Sequence, residues 1–247
     1  MVPEQDNDNN VFRFGRENLP SNDLSKKEIK EYYDRFYGRT EFEHSDEKIT
    51  RRFLRTLLKK ARVLSHAAIL DVGCATGFYA EQLRKMGYRT IGLDISQVGI
   101  LKGQSKYLSL PLLVGDAAVL PFRGASFDVL FMSGCSLTNT RDMQAINEYF
   151  LYLMNYIKDD GVVIFISGSN FSGEIAPHSE WIHHSYDEIL KFVDRKIVGV
   201  EGPYITALKF VSLFGKISLG KTFSSVIRMI PGRRSWSVVY FIRKKSR

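Results

Sequence analysis

The sequence predicts an α/β fold in which helices cover both faces of a mostly parallel sheet. Short apolar runs alternate with helical stretches between residues 68 and 167, and few polar residues interrupt the runs. Strands of this kind are typical of a parallel sheet that is buried on both faces. A chain of 247 residues has room for one such domain with an appended lid, whereas two full domains would be crowded.

Five apolar runs are predicted as strands, and helical patterns separate most of them. The predicted strands are Ala68–Val72, Arg89–Leu93, Leu112–Val114, Phe127–Met132 and Gly161–Ser167. The helices between them are predicted near Phe78–Met86, Gln97–Tyr107 and Asp142–Ile157. This alternation indicates a doubly wound α/β sheet.

Two further helices are predicted ahead of the first strand. Ser25 and Glu28 have the spacing of a capping box, and a helical pattern continues through Tyr37. The second helix is predicted from about Ser45 to Leu64, and its apolar face consists of Ile49, Phe53, Leu54, Leu57 and Leu58. We therefore divide the chain into a disordered segment 1–23, a helical lid 24–65 and an α/β domain 66–247.

Composition indicates a cytoplasmic protein that acts without a structural metal. No apolar run is long enough to span a bilayer, and the acidic, amide-rich start does not resemble a secretory signal. The two cysteines, Cys74 and Cys135, are too few for a disulfide framework or a metal cluster. We therefore expect a reducing compartment, no metal site and no transmembrane segment.

The net charge of +8 comes from the carboxyl-terminal end of the chain. Residues 202–247 contain ten basic side chains and no acid, whereas residues 1–201 contain 25 basic and 27 acidic side chains. Four of these basic residues lie within the apolar stretch Tyr204–Ile230, which favours weak contact with an anionic membrane surface. A solvated surface, an RNA contact and an acidic small substrate remain open alternatives.

The predicted strands end in a glycine-rich turn and in acidic residues. The first strand runs into the sequence DVGCATGF, which spaces its glycines as G-x-x-x-G and is neither a dinucleotide fingerprint nor a P-loop. Asp94 follows the second strand, 21 residues after Gly73, where a carboxylate can accept hydrogen bonds from both ribose hydroxyls. Asp116 follows the third strand and is suited to an adenine amino group. Together these strand ends predict a pocket for a nucleoside with an amino-acid tail.

These motifs, in the order DVGCATGFYA, GLDIS, GDAAVLPF and FDVLFMSG, resemble those of the class I S-adenosylmethionine (SAM)-dependent methyltransferases that modify small molecules. The resemblance covers residues 66–167. It implies a Rossmann-like sheet of seven strands whose last strand, Ser235–Arg243, is antiparallel. It also implies SAM as cofactor and S-adenosylhomocysteine as product.

The resemblance further implies a set of cofactor-binding residues. The methionyl part is expected near the first turn, the ribose at the second strand, the adenine at the third strand and the pocket floor beyond the fourth. The tyrosines of the first helix are most simply its apolar face, and the alternative is that Tyr33 or Tyr37 closes over the cofactor. The predicted set is Asp71, Gly73, Ala75, Gly77, Asp94, Ile95, Asp116, Ala117, Ser133, Gly134 and Tyr33.

The segment after the fifth strand is predicted to supply the acceptor chemistry as a substrate loop and lid, residues 168–234. It contains His178, His183 and His184, each of which is a candidate general base for an acceptor that must lose a proton. Solvated surface histidines are an equally reasonable interpretation.

Three functions remain open on the sequence. The first is O- or N-methylation of a small molecule, with a saccharide or a lipid-linked metabolite as possible acceptors. The second is methylation of RNA held by the basic carboxyl-terminal region. The third is SAM binding without catalysis, because an intact cofactor site does not by itself establish chemistry.

Overall fold

The computed structural model describes residues 25–39, 46–169, 182, 184, 198–205 and 236–245. The predicted disordered segment 1–23 and most of the predicted loop 168–234 lie outside these residues, as does most of the basic apolar stretch Tyr204–Ile230. Among the described residues, no helix is both long and apolar enough to cross a bilayer.

In the part of the chain that the structure describes, one sheet of seven strands forms the centre of the fold. The strands are β1 Ala68–Val72, β2 Arg89–Asp94, β3 Leu112–Val114, β4 Phe127–Ser133, β5 Ile157–Ser169, β6 Val198–Ile205 and β7 Trp236–Lys244. Their order across the sheet is β3-β2-β1-β4-β5-β7-β6. Strands β1 to β5 pair in parallel, and β7 is antiparallel to both of its neighbours. The predicted Rossmann-like, mostly parallel α/β sheet with an antiparallel last strand is confirmed.

Within the described residues, five α-helices accompany the sheet, and several begin at sequence signals that favour a helix start. They are α1 Lys26–Arg39, α2 Glu47–Lys60, α3 Phe78–Lys85, α4 Gln97–Lys106 and α5 Met143–Leu153. Ser25 and Glu28 form the predicted capping box, in which the Ser25 backbone N–H donates to Glu28 Oε2 at 2.8 Å. Asp46 and Asp142 cap α2 and α5 by accepting from backbone amides of the first turn.

Helix α2 packs against the sheet instead of covering the pocket as part of a lid. Its buried face meets alternate side chains of the central strands, including Val129 and Phe131 of β4. Helix α5 packs on the opposite face, against Leu130 and Met132 of the same strand. The predicted apolar face of α2 is buried except for Ile49, whose side chain is 51% exposed because it lies outside the contact with the sheet.

Two strands differ from their predicted bounds. Strand β5 begins at Ile157, where a helix end was predicted, and a register shift against β4 accommodates its extra residues. Strand β6 lies within the segment 168–234 that was predicted as a loop and lid, so that prediction is wrong for Val198–Ile205. Its pairing with β7 shifts register between Glu201 and Tyr204, on either side of a Gly-Pro pair. A Gly-Pro pair is uncommon within a strand, so the sequence pattern indicated a loop here.

Candidate functional site

The main candidate site is a cavity of about 240 Å³ at the carboxyl ends of the parallel strands. Within the sheet, β2 and β3 lie on one side of β1, and β4 lies on the other side. The strand order therefore reverses between β1 and β4. Ligands of open α/β sheets bind in the crevice that such a reversal leaves. Strand-end loops and one face of α1 line this cavity.

Nine of the eleven predicted cofactor residues converge on this one cavity. They come from five separate parts of the chain, namely α1 and the ends of the first four strands. The lining members are Tyr33, Gly73, Ala75, Asp94, Ile95, Asp116, Ala117, Ser133 and Gly134. The two predicted residues that do not line it are Asp71 and Gly77.

The turn after β1 is built from left-handed backbone. Gly73, Ala75 and Gly77 all have positive φ, at 71°, 54° and 82°. Gly77 serves packing and not the pocket, because a Cβ at this position would lie 2.8 Å from Leu112 Cδ2. The backbone N–H of Ala75 donates to Asp94 Oδ2 at 2.8 Å, and that of Gly77 donates to the Cys74 carbonyl at 2.8 Å. These amides are therefore already bonded and do not form an empty cradle for a phosphate.

Asp94 is a buried carboxylate at the pocket wall. Its Oδ1 accepts from the backbone N–H of Ser96 at 2.9 Å, and its Oδ2 accepts from Ala75. Burial raises the pKa of Asp94 to about 6, and the amides of Ser96 and Ala75 oppose that rise. These two amides fix the orientation of the carboxylate, whose remaining lone pairs can accept from ligand hydroxyls.

Asp71 lies beneath the turn and does not line the pocket. The residue is 2% exposed, and its Oδ2 has no hydrogen-bond partner. Burial raises the pKa of Asp71 to about 8, the negative charge of Asp94 adds to the rise, and a bond from the Ala80 backbone N–H opposes it. Asp71 is therefore mostly a neutral acid at pH 7, in a position where it can influence the pocket through its charge state.

Asp116 joins the third strand end to the lid helix α1. Its Oδ1 accepts from the backbone N–H of Ala118 at 2.9 Å, and its Oδ2 lies 2.8 Å from Lys26 Nζ. The Lys26 side chain is 68% exposed, so this ion pair is weak and easily exchanged. An adenine amino group would share or replace the Lys26 contact at Oδ2.

Helix α1 covers the pocket with aromatic side chains. Tyr33 lines the cavity, and its hydroxyl hydrogen-bonds the Ser136 side chain. Burial raises the pKa of the Tyr33 hydroxyl well above its usual range, so the phenol stays neutral. Tyr33 stacks against Tyr37, which also lines the cavity, with ring centroids 6.0 Å apart. Both tyrosine candidates therefore line the cavity, and closure over a cofactor stays a prediction.

Two tyrosines form hydrogen bonds with the cavity floor, which lies beyond β4. Tyr79 of α3 hydrogen-bonds the Ser133 side chain, and Tyr149 of α5 hydrogen-bonds the Cys135 thiol. Tyr149 also donates to the Ala117 carbonyl at 3.3 Å, which links the floor to the third strand end. These contacts fix the two loops that carry Ala117 and Ser133.

The two cysteines occupy different places in the fold. Cys135 lines the cavity, whereas Cys74 is buried in a separate apolar cluster with Ile100, Leu110 and Leu112. The thiol of Cys74 lies under β2, since a Cβ at Gly92 would be 2.8 Å from its sulfur.

A bound cofactor is therefore expected to slow alkylation of Cys135 and to leave that of Cys74 nearly unchanged. Burial raises the pKa of Cys135 to about 11 and that of Cys74 well above its usual range, so labelling should be slow and is best followed at pH 9. Mass spectrometry of iodoacetamide-treated protein with and without SAM measures both rates. Equal protection of the two thiols would contradict this placement of Cys74.

Of the three candidate histidines, the structure describes His184. His178 and His183 lie outside the described residues. His184 is 4% exposed and does not line the cavity, and its Nε2 lies 3.3 Å from the Thr138 carbonyl. It packs under the short 3-10 helix Ser136–Thr138, whose residues Ser136 and Leu137 do line the cavity. His184 therefore contacts the segment that forms the cavity floor, and its role as a general base stays a prediction.

Several lining residues were absent from the predicted set. Most of them adjoin a predicted site residue in the sequence or lie on α1, and Ser136 and Leu137 follow Gly134 within three residues. The helical face of α1 was the signal in the sequence that could have identified the residues on that helix. These residues are Lys26, Ile29, Tyr32, Phe36, Tyr37, Leu93, Ala118, Cys135, Ser136 and Leu137. Within the described part of the chain, no group of acidic, histidine and cysteine side chains is arranged to hold a metal.

Comparison with known proteins relates this site to a family. Residues 69–161 match the family model of the methyltransferase domain. A malonyl-[acyl-carrier protein] O-methyltransferase of Erwinia pyrifoliae is 35% identical over 72 residues, which are 29% of this chain and 28% of that protein. The chain thus spans less than a third of the length of this curated relative.

Solved structures resemble the whole fold at low sequence identity. A SAM-dependent methyltransferase of Clostridium acetobutylicum has a TM-score of 0.59 and 15% identity over 89% of this chain and 99% of that chain. The [4+2]-cyclase SpnF has a TM-score of 0.63 and 14% identity over 91% of this chain and 98% of that chain. The likeness establishes the fold, and the fold is shared by proteins of different chemistry.

Proposed function

Because the chain carries a methyltransferase domain at residues 69–161 on the class I SAM-dependent methyltransferase fold, we propose that it binds SAM and methylates a small molecule. The observation that carries the proposal is the convergence of nine predicted cofactor residues on one cavity at the strand reversal. The resemblance inferred from the motifs is confirmed, and the residue roles that follow are our proposal.

The described side chains fit SAM better than a dinucleotide. Asp94 presents an oriented carboxylate to the ribose hydroxyls, and Asp116 with Ala117 adjoins the adenine side of the cavity. A pyrophosphate would need open backbone amides at the first turn, where Ala75 and Gly77 are already bonded. Among the described lining residues Lys26 alone is basic, and it sits at the rim.

The cofactor supplies an electrophilic sulfonium methyl group, so the protein has mainly to orient the acceptor and to exclude water. The aromatic face of α1 and the loop from Ser133 to Leu137 form the walls that do this. A neutral Asp71 under the turn limits the negative charge beneath the site. A proton-bearing acceptor also needs a base, and we propose His178 or His183 for that role.

The acceptor is proposed to be small, and an oxygen nucleophile is the first to test. The relative from Erwinia pyrifoliae is named as an O-methyltransferase, which favours an oxygen nucleophile. The aromatic side chains of α1 line the cavity and leave less room for a bulky polymer, which favours a small acceptor. A cytoplasmic setting is part of the same proposal. RNA and an anionic membrane surface remain the alternative partners of the basic end, which lies outside the described residues.

Calorimetry with SAM, followed by turnover assays, tests the proposal. We expect SAM to bind and NADH not to bind at comparable concentrations, and S-adenosylhomocysteine to form when a panel of hydroxyl, amine and carboxylate acceptors is supplied. RNA and anionic vesicles belong in the same panel, because their stimulation of product formation would favour the alternatives. A protein that does not bind SAM would contradict the proposal outright.

A second function is SAM binding with chemistry other than methyl transfer. The fold likeness to SpnF, a [4+2]-cyclase, favours keeping this candidate. Tight SAM binding without any S-adenosylhomocysteine from the whole panel would support it against methylation.

A further inference from the structure

One carboxylate of the lid helix α1 contacts the beginning of helix α4 directly. Asp34 lies on α1, on the same turn as the pocket tyrosines. Its Oδ1 accepts from the Ser96 hydroxyl at 2.6 Å and from the backbone N–H of Val98 at 3.1 Å. Its Oδ2 accepts from Lys30 Nζ at 2.5 Å. Sixty-two residues of sequence therefore separate two groups that share a short hydrogen bond.

Ser96 connects this carboxylate to Asp94. Ser96 is completely buried, and its backbone N–H donates to Asp94 Oδ1. Its hydroxyl oxygen accepts from the backbone N–H of Gly99 at 3.0 Å. A hydroxyl has one hydrogen to donate, and Ser96 donates it in the hydrogen bond to Asp34. The position of Asp34 therefore fixes the orientation of the Ser96 side chain.

Asp34 and Ser96 together cap helix α4. The first amides of a helix have no partner within it, and here Val98 N–H bonds to Asp34 and Gly99 N–H bonds to Ser96. The positive end of the helix dipole favours the negative charge of Asp34 at this place. Because this cap of α4 comes from α1, it also holds the two helices together.

The other contacts between α1 and α4 require the two helices to approach closely near the carboxyl-terminal end of α1. A Cβ at Gly99 would lie 3.0 Å from the ring of Tyr37, so the small residue admits the lid tyrosine. Lys102 donates to the Tyr37 carbonyl at 2.5 Å. At the opposite end of α1, the exposed Lys26–Asp116 pair offers a weaker attachment. The carboxyl-terminal half of α1 is therefore its firm anchor.

We propose that Asp34 is a positioning residue of the SAM site: it holds the lid helix on α4 and, through Ser96, orients Asp94. This inference deepens the proposed function and rests on it. Asp34 itself does not line the cavity, so its effect on a bound cofactor is transmitted through Tyr33, Tyr37 and Asp94.

The test compares three variants of the full chain. Asp34→Ala removes every bond of the side chain, whereas Asp34→Asn keeps an oxygen that can accept from Ser96 and Val98. Glu31→Ala is the matched control, because Glu31 is another acid of α1, is 53% exposed and pairs only with Lys27 at 3.9 Å among the described ion pairs. Hydrogen exchange of residues 26–39 without ligand, SAM affinity and the separate kcat and KM for SAM are measured for each.

For Asp34→Ala we expect about tenfold faster exchange in α1, no change in α2, and about tenfold weaker SAM binding through loss of charged hydrogen bonds. The loss should fall on KM more than on kcat, Asp34→Asn should recover most of it, and Glu31→Ala should match wild type. Wild-type SAM affinity in Asp34→Ala, or an equal loss in Glu31→Ala, would overturn the positioning role. Failure of the wild-type protein to bind SAM would instead contradict the proposed function, and the exchange result would then still report whether Asp34 anchors α1.

Discussion

Replacing Asp94 with alanine is expected to weaken SAM binding by about 100-fold or more, because each hydrogen bond to a charged group contributes about 1.5–3 kcal/mol and two ribose hydroxyls lose their acceptor. The substitution also leaves the buried amides of Ala75 and Ser96 without their partner. Calorimetry on folded protein measures the loss. An affinity equal to that of wild type would contradict the ribose assignment.

Asp142→Ala is the matched control for this experiment. Asp142 also accepts from two backbone amides, those of Gln144 and Ala145 at 3.0 Å each, but it caps α5 away from the cavity. We expect it to lower stability by about 1 kcal/mol and to leave SAM affinity unchanged. In wild type, affinity should also fall as the pH drops through about 6, where burial places the pKa of Asp94, because the protonated acid loses acceptor capacity.

Replacing Asp71 with asparagine is expected to flatten the dependence of stability on pH between 6 and 8. Burial raises the folded-state pKa of Asp71 to about 8, above its value in the unfolded chain. The folded protein therefore holds a proton that the unfolded chain has released, and stability falls as the pH rises through this window. The slope from this one group approaches 1.4 kcal/mol per pH unit, so the wild type should lose up to about 3 kcal/mol from pH 6 to 8.

Urea unfolding of both proteins without ligand at pH 6, 7 and 8 measures this difference. The asparagine keeps an oxygen for the Ala80 backbone N–H, which is the hydrogen bond that opposes the pKa rise in wild type. Histidines and other groups that titrate in the same range contribute equally to both proteins and cancel in the difference. Parallel stability curves for the two proteins would show that Asp71 is ionised throughout this pH range. Burial would then raise the pKa of Asp71 less than its position in the structure indicates.

The strand ends could be predicted from the sequence because each site residue directly follows an apolar run. The ends of parallel strands meet at one edge of a sheet, so the positions of Asp94 and Asp116 followed from the strand pattern alone. The same rule failed for the direction of individual side chains. Cys74 and Gly77 lie in the same turn as Gly73, yet they face the apolar cluster around Leu112.

The arrangement of the first two helices could not be predicted, because an amphipathic pattern shows that a face is buried and not what covers it. Helices α1 and α2 both carry such a face, yet α1 covers the cavity and α2 packs on the sheet. The contact between Asp34 and Ser96 joins distant parts of the sequence, and Asp34 belongs to none of the sequence motifs. Strand β6 was missed because its Gly202-Pro203 pair indicates a loop, although a proline is tolerated at the edge of a sheet.

The left-handed alanine in the first turn makes that turn a store of conformational strain. Residue 75 has φ of 54°, where an L-residue other than glycine costs about 1–2 kcal/mol. The hydrogen bond from its amide to Asp94 holds it there, so the strain is released whenever that bond breaks. A glycine at this position would remove the strain but would also let the turn sample other shapes. The stability of this turn conformation therefore depends on the same carboxylate that is proposed to hold the ribose.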